Sequence, residues 1–418
     1  MEGAGGAWCD GAVLRFRYAD PGRRLAAVRL WSSAIKADLV FRDELGAWEW
    51  SCARPPLWRL DYHLELVGPH GERRSTAPAE LRCPDYTEPD WLAAPAAAGT
   101  WRRMPLPGLT ARIWSPRVDT GRILVAHDGP EYDSSGRLGD YVATAIESGR
   151  VRPFHLVLLP PARQDQPALR PPARQDRPAL LPPARQNRQV LPPAGQNRPA
   201  LLPSAGQSRK PPPRKGGERE RIYAADPGYA RFLARELLPR IRARLGGGPV
   251  VGAGVSLGAL AMLHAQWRFP ESFAGLFLQS GSYFQPRHDG QEAGFRLFRR
   301  IARFTGLMRH AGSGPMRHAG SDPMQQAGSS PMRHAGSGPI GHAGSGPIRH
   351  SGSGPAIPVS LTCGAAEENL ANNRDMADSL RQQGYAVEFA ENPDAHTWTG
   401  WRDALHPHLT GLLRRVWI

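Results

Sequence analysis

Apolar and polar residues alternate with a period of two in several short segments of the first 80 residues. These segments are 12–18, 25–31, 37–41, 48–50 and 60–66. A period of two buries one face of a strand and exposes the other, and short, closely spaced strands of this kind are typical of antiparallel sandwiches. The pattern predicts a small N-terminal β-sandwich over residues 1–85, followed by a proline-rich linker over 86–107.

From residue 108 the pattern changes to near-continuous apolar runs separated by helical periodicity. The apolar runs are 122–127, 154–159, 249–253, 273–278, 357–362 and 385–390, and the helical segments are 229–245, 259–267, 292–304 and 369–383. Continuous apolar runs indicate strands that are buried on both faces of a parallel sheet. Strands that alternate with helices predict an α/β domain with a mainly parallel, doubly wound sheet over residues 108–418.

Two repetitive segments interrupt this domain, an eleven-residue unit repeated over 162–217 and an octapeptide repeated over 308–355. Both are rich in proline or glycine and poor in large apolar residues, so we expect them to be disordered. They also supply +12 of the formal net charge of +15. The rest of the chain is therefore near neutral, which argues against a specific nucleic-acid site built by the fold.

The octapeptide carries five of the fourteen histidines. A histidine-rich tract is compatible with weak metal binding, but we favour repeat expansion in a surface loop, and we predict no metal site and no resident cofactor. The four cysteines are scattered and form no CxxC motif, and no run approaches 18 apolar residues. With no basic and apolar leader at the N-terminus, we expect a cytoplasmic protein without a membrane segment.

The sequence Gly-Val-Ser-Leu-Gly at 254–258 lies between the apolar run 249–253 and the helical segment 259–267. A strand, a tight turn and a helix are the context that a nucleophile elbow requires, because the turn holds the serine above the sheet and glycines avoid clashes there. Ser256 is therefore the candidate nucleophile.

An acid and a histidine follow in the order that an α/β-hydrolase triad requires. Glu367 and Glu368 come after the run 357–362, and His396 comes after the run 385–390. In such a triad the histidine takes the serine proton and the carboxylate orients the imidazole. Spacing alone leaves alternatives open, since the two glutamates also suit a helix N-terminus and His396 also suits a surface loop.

Several motifs together resemble the enterochelin (ferric enterobactin) esterase family, within the esterase D group of α/β-hydrolases. They are Cys-Gly-Ala-Ala-Glu-Glu-Asn from 363, Asp-Ala-His-Thr-Trp-Thr-Gly-Trp-Arg-Asp at 394–403, His-Asp-Gly-Pro-Glu-Tyr at 127–132, Leu-Gln-Ser-Gly-Ser-Tyr at 278–283 and the elbow at 254–258. The resemblance covers roughly 108–161 and 219–418 apart from the octapeptides. It implies an α/β-hydrolase fold behind an N-terminal sandwich.

The resemblance further implies Ser256 as nucleophile, His396 as base and Glu367 as acid, with Glu368 as the alternative. It implies a serine esterase that cleaves ester or lactone bonds of a ferric siderophore to release iron inside the cell, so that iron enters only as part of the substrate. For the oxyanion hole we expect the backbone N–H groups of Leu257 and Gly129.

Four further residues are candidates for substrate binding. Trp398 and Arg402 follow His396 at helical spacing, where they suit either contact with an aromatic, anionic substrate or packing of the last helices. For Trp401, between them, we favour a packing role. Arg219 and Tyr223 resemble an Arg…Tyr segment of the family.

Two other classes of function remain open on the sequence. One is a general carboxylesterase or acyltransferase of the same group, because hydrolysis and acyl transfer differ in water exclusion and pocket shape. The other is a binding module that carries a degenerate hydrolase domain. The sequence predicts a small-molecule ester as partner and does not predict an oligomeric state.

Overall fold

The computed structural model describes residues 5–94, 98–161, 217–311 and 357–417. The predicted disordered segments lie outside these ranges except at their ends, so their disorder stays a prediction. No helix within the described ranges is long and apolar enough to cross a membrane.

The N-terminal region consists of two antiparallel sheets that enclose an apolar core. Its strands are β1 (Gly5–Asp10), β2 (Val13–Ala19), β3 (Ala27–Ser32), β4 (Lys36–Asp38), β5 (Val40–Arg42), β6 (Ala47–Ala53), β7 (Arg59–Val67), β8 (Arg73–Ser75) and β9 (Ala79–Arg82). One sheet has the order β1-β2-β6-β5 and the other β4-β3-β7-β8, with β9 also paired to β7. Alternate side chains of β2 and β7 are buried, which is the period of two seen in the sequence.

A third sheet, of eight strands, forms the centre of the remaining chain. Its strands are β10 (Gly99–Leu106), β11 (Leu109–Pro116), β12 (Ile123–Ala126), β13 (His155–Leu158), β14 (Val250–Val255), β15 (Gly275–Gln279), β16 (Pro358–Gly364) and β17 (Ala386–Asn392). They lie in the order β10-β11-β13-β12-β14-β15-β16-β17, and all neighbours from β13 onward are parallel. The α/β fold class predicted from the sequence is confirmed.

Helices cover both faces of this sheet, as the fold class requires. They are α1 (Gly129–Ser134), α2 (Leu138–Glu147), α3 (Glu218–Tyr223), α4 (Pro227–Phe232), α5 (Leu238–Arg244), α6 (Leu257–Arg268), α7 (Phe298–Ala311), α8 (Leu370–Gln382), α9 (Trp398–Asp403) and α10 (Thr410–Val416). The apolar side chains of α3 to α8 pack in one cluster with one face, and those of α1, α2, α9 and α10 pack in a second cluster with the other. The residues of the central strands β12 to β15 are consequently buried on both faces of the sheet.

Two predicted boundaries are wrong in the described residues. The predicted linker 86–107 contains β10, an edge strand that pairs with β11 along its whole length and buries Met104 and Leu106. The prolines of this segment, including Pro105, led to its prediction as a linker. A strand at the edge of a sheet tolerates proline, because one side of such a strand needs no ladder hydrogen bond. The segment 308–355 was expected to be disordered from its first residue, yet α7 continues to Ala311, because Met308 joins Ile301 and Phe304 on its buried face.

Two buried histidines in this domain predict acid-sensitive stability. Desolvation lowers the pKa of His127 from 6.5 to about 4 and that of His264 from 6.5 to about 3. Since the unfolded chain takes up these protons first, the free energy of unfolding should fall below pH 6.5, by up to about 1.4 kcal/mol per histidine and pH unit. Burial raises the pKa of Asp394 to about 6, which opposes part of the fall between pH 6 and 4. Urea denaturation between pH 7 and 5 measures the slope.

The matched variant for this prediction is His264→Phe, which keeps a ring between Trp267 and Phe304. It should remove about 2 kcal/mol of the loss between pH 6.5 and 5, since it removes one of the histidines whose pKa burial lowers most. An unchanged slope in this variant would contradict the assignment.

Candidate active site

Ser256 lies in a strained turn between β14 and α6. Its φ of 54° and ψ of −123° place it in the left-handed half of backbone space, which a non-glycine residue adopts only when its surroundings impose it. A Cβ atom at Gly254 would lie 2.5 Å from the carbonyl carbon of Gly258, so the turn closes only with glycine at that position. The structure therefore places Ser256 at the tip of a strand–turn–helix elbow.

The hydroxyl of Ser256 opens into a cavity of about 310 Å³. Ser256 Oγ lies 3.2 Å from Ser282 Oγ, and Ser282 itself is almost fully buried. Glu367 and His396 line the same cavity. No hydrogen bond joins Ser256 to His396 in the described part of the chain, which is common for nucleophile and base before substrate is bound.

His396 and Glu367 form a short polar contact in the cavity. His396 Nδ1 lies 2.7 Å from Glu367 Oε2, and the Glu367 side chain is only 1% exposed. Because the ionised carboxylate can only accept, Nδ1 carries the hydrogen of this bond and Nε2 is left as the basic nitrogen. The arrangement therefore holds the imidazole in the tautomer that can take a proton from a hydroxyl.

The other oxygen of Glu367 is held equally firmly. Glu367 Oε1 accepts from Ser280 Oγ at 2.6 Å and from the Gly364 N–H at 2.8 Å. Trp401 Nε1 donates to Ser280 Oγ at 2.9 Å, and the Trp401 ring meets the His396 ring edge-on at 4.8 Å. Ser280 and Trp401 thus support the Glu367–His396 pair from behind, a contact that sequence spacing did not suggest.

Glu368 has a different position. It is exposed at the cavity rim, whereas Glu367 is buried against His396. Of the two candidate acids, the structure brings only Glu367 to the histidine. The catalytic role of that contact stays a prediction.

The two backbone donors predicted for an oxyanion hole differ in availability. Leu257 is the first residue of α6. Its N–H therefore has no acceptor carbonyl within the helix. The N–H of Gly129 donates to Leu159 O at 2.8 Å and is not available as the second donor. The prediction for Gly129 overlooked that β13 runs beside this loop.

Arg219 and Tyr223 do not line the cavity. Arg219 pairs through two nitrogens with the buried Asp128, and Tyr223 is fully buried, stacked on His127 at 4.6 Å between ring centres. The ring of Tyr223 has no accessible surface in this arrangement, so it makes no wall of the cavity. Arg219 instead neutralises Asp128 at the end of the β12 loop.

Trp398 and Arg402 also lie away from the cavity. Trp398 packs on Tyr132 and Trp401 at 5.6 and 4.9 Å. Arg402 Nε donates to Asp403 Oδ1 at 2.7 Å, and its Nη2 donates to Tyr86 at 3.3 Å. Both predicted substrate contacts are replaced by packing of the C-terminal helices against neighbouring elements.

The N-terminal sandwich supplies part of the cavity wall, through Ser32, Ser33 and Lys36. Three carboxylates besides Glu367 line the wall, those of Asp289, Glu292 and Glu368. Burial raises the pKa of Glu292, and the charges of Asp289 and Glu368 raise it further. Acidic groups thus outnumber Lys36 in this cavity. Within the described ranges, no cluster of three or more His, Cys, Asp or Glu residues is arranged to hold a metal ion.

Comparison with known proteins identifies the fold. The chain is similar to the enterobactin esterase FES from Shigella flexneri crystallised in the presence of enterobactin, with a TM-score of 0.58 at 13% identity over 100% of this chain and 96% of that one. It is also similar to the ferric enterobactin esterase from Salmonella typhimurium, with a TM-score of 0.57 at 12% identity over 99% and 96%. No protein-family model and no curated protein sequence matches the chain. At this identity the similarity concerns the fold, and it includes the N-terminal region.

Proposed function

We propose that this protein is a serine esterase in which Ser256, His396 and Glu367 act together. The observation that carries the proposal is the 2.7 Å hydrogen bond between His396 Nδ1 and the buried Glu367, in a cavity that Ser256 also lines. A nucleophile at a strained elbow, a neutral imidazole with a free Nε2 and a buried carboxylate are the parts that acyl transfer through serine requires.

The chemistry follows from these positions. His396 Nε2 takes the proton of Ser256 Oγ as that oxygen attacks the ester carbonyl carbon, and Glu367 stabilises the imidazolium that forms. The tetrahedral oxyanion accepts a hydrogen bond from the Leu257 N–H. The proton then passes from His396 to the departing alkoxide, and an acyl-enzyme remains. Water deprotonated by His396 attacks this acyl group, releases the acid and restores Ser256.

As substrate we propose an ester or lactone of a ferric siderophore of the enterochelin type. Two fold neighbours are named as enterobactin esterases, and one was crystallised with enterobactin. The fold likeness to them extends over the sandwich as well as the hydrolase domain. In this chain the sandwich contributes Ser32, Ser33 and Lys36 to the cavity, and Lys36 offers a cation to an anionic iron complex.

The acidic groups of the cavity favour a second candidate, a general carboxylesterase for neutral or cationic esters. Where they are ionised, Asp289, Glu292 and Glu368 repel an anionic substrate. The two candidates share the catalytic chemistry and differ in the charge of the substrate.

Turnover of a ferric trilactone siderophore against a simple neutral aryl ester separates the two candidates. For a siderophore esterase we expect kcat/KM for the trilactone to exceed that for the aryl ester by at least about tenfold, a difference of about 1.4 kcal/mol in transition-state binding. Ser256→Ala measures the background rate of hydrolysis for both substrates. Turnover of the aryl ester alone would reject the siderophore and support the general carboxylesterase.

A further inference from the structure

A buried ionic cluster joins the sandwich to the loop that carries His396. Its centre is Arg59, the first residue of β7, whose side chain is only 1% exposed. Arg59 Nε lies 3.3 Å from Asp394 Oδ2 and 3.7 Å from Asp403 Oδ2. Both aspartates are buried and belong to the C-terminal part of the hydrolase domain.

The same guanidinium reaches the residue next to the histidine. Arg59 Nη2 donates to Thr397 Oγ1 at 3.0 Å. Thr397 Oγ1 also accepts from the Gly400 N–H at 3.0 Å and so caps the N-terminus of α9. Arg59 therefore holds the chain at Asp394 and at Thr397, on both sides of His396.

A backbone contact fixes the two segments at the same place. The N–H of Trp58 donates to Pro393 O at 2.6 Å, directly before Asp394 in the loop. Asp394 Oδ1 in turn accepts from the Ala395 N–H at 2.8 Å. The path from the sandwich to His396 thus consists of consecutive short contacts.

Arg59 favours the ionised form of the buried Asp394. Burial raises the pKa of Asp394 to about 6, whereas the Arg59 charge lowers it. The other charged groups that face Asp394 are the carboxylates of Asp403 and Asp61, which favour its protonated form. Glu80 and Asp61 accept more distant bonds from Arg59 Nη1, and Arg402 is engaged by Asp403. Arg59 is the one cation placed directly against Asp394 among the described residues.

We propose that Arg59 is a positioning residue that, from the sandwich, sets the orientation of the His396 loop toward Ser256. This inference rests on the proposed function, because it assigns the sandwich a part in that reaction. The sandwich is then an integral part of the active site, since it both walls the cavity and orients the base.

The test compares full-length Arg59→Met, which removes the charge, with Arg59→Lys, which retains it. Arg54→Met is the matched control, since Arg54 makes a two-pronged ion pair with Asp85 inside the N-terminal region. For hydrolysis of a small aryl ester at pH 7.5, we expect Arg59→Met to lower kcat by about 10- to 100-fold with KM unchanged, as misplacement of a catalytic group does. Arg59→Lys should recover part of the loss, and Arg54→Met should equal the wild type.

The pH profile provides a second readout. Without Arg59, the ionised Asp394 has no buried cation, so the kcat deficit of Arg59→Met should grow from pH 5.5 to pH 8 and shrink where Asp394 is protonated. A uniform deficit at every pH, a loss confined to KM, or a kcat equal to that of Arg54→Met would overturn the proposal. If Arg59→Met does not fold, Asp394→Asn tests the same pair and should lower kcat in the same direction.

Failure of the proposed function is distinguishable from failure of this inference. Retention of wild-type turnover by Ser256→Ala rejects the esterase mechanism. The Arg59 inference is then judged by amide hydrogen exchange in peptides covering 393–397, which should speed up in Arg59→Met and stay unchanged in Arg54→Met. Unchanged exchange in both variants would reject it.

Discussion

Replacing Ser256 with alanine is expected to lower kcat for ester hydrolysis by about 10⁴-fold or more, because the attacking oxygen is removed while the cavity stays intact. Alanine fits the turn, since the strain at this position lies in the backbone and, among the residues that the structure describes, the lost hydroxyl has only Ser282 as partner. The variant should therefore fold normally. Labelling by a fluorophosphonate probe should disappear with the activity.

Ser282→Ala is the matched control for this prediction. Its hydroxyl faces Ser256 Oγ at 3.2 Å in the same cavity, but Ser282 does not lie at the turn between β14 and α6. We expect Ser282→Ala to keep probe labelling and most of the turnover. Labelling that survives in Ser256→Ala and disappears in Ser282→Ala would reassign the nucleophile. Absence of labelling in the wild type would instead favour the binding-module interpretation.

Glu367→Gln is expected to lower kcat by about 10⁴-fold, whereas Glu368→Gln should change it by less than about twofold. The amide cannot offset the positive charge that develops on His396, and its NH₂ group can turn the imidazole to the wrong tautomer. Stability should change little, because the amide oxygen can still accept from Ser280 and the Gly364 N–H, as Oε1 does now. Steady-state kinetics with a small aryl ester measure both variants.

The pair of glutamates makes this a sharp comparison. They are neighbours in sequence and line one cavity, yet one is buried at 2.7 Å from His396 and the other is exposed. A large loss in Glu368→Gln, or wild-type kinetics in Glu367→Gln, would show that the hydrogen bond in the structure is not the catalytic one. Equal moderate losses in both would indicate that the acids substitute for each other.

Local patterns predicted the elements of the fold well. Every apolar run in the hydrolase region coincides with a strand of the large sheet to within a few residues, and Ser256 lies at the turn that its flanking glycines indicated. Such features depend on residues close in sequence, because periodicity and glycine content determine strands and tight turns locally. β10 was not predicted, because proline at position 105 is typical of linkers and is tolerated in a strand only at the edge of a sheet.

Predictions that required knowledge of neighbours across the fold were less successful. Tyr223 and Arg402 have side chains that suit an aromatic, anionic substrate, but the structure pairs them with His127 and Asp403. The Gly129 N–H is occupied by Leu159 O from the next strand of the sheet. In each case a residue distant in sequence takes part, His127 for Tyr223, Tyr86 for Arg402 and Leu159 for Gly129, and composition carries no information about such neighbours.

The sequence by itself determined the α/β class, the elbow at Ser256 and the order of the candidate nucleophile, acid and base. Only the tertiary structure decided between Glu367 and Glu368, since the direction of a side chain after a strand depends on what packs around it. The tertiary structure also brought Arg59 to Thr397 across 338 positions of sequence. A buried charge is stable only beside its partner, and folding alone selects that partner.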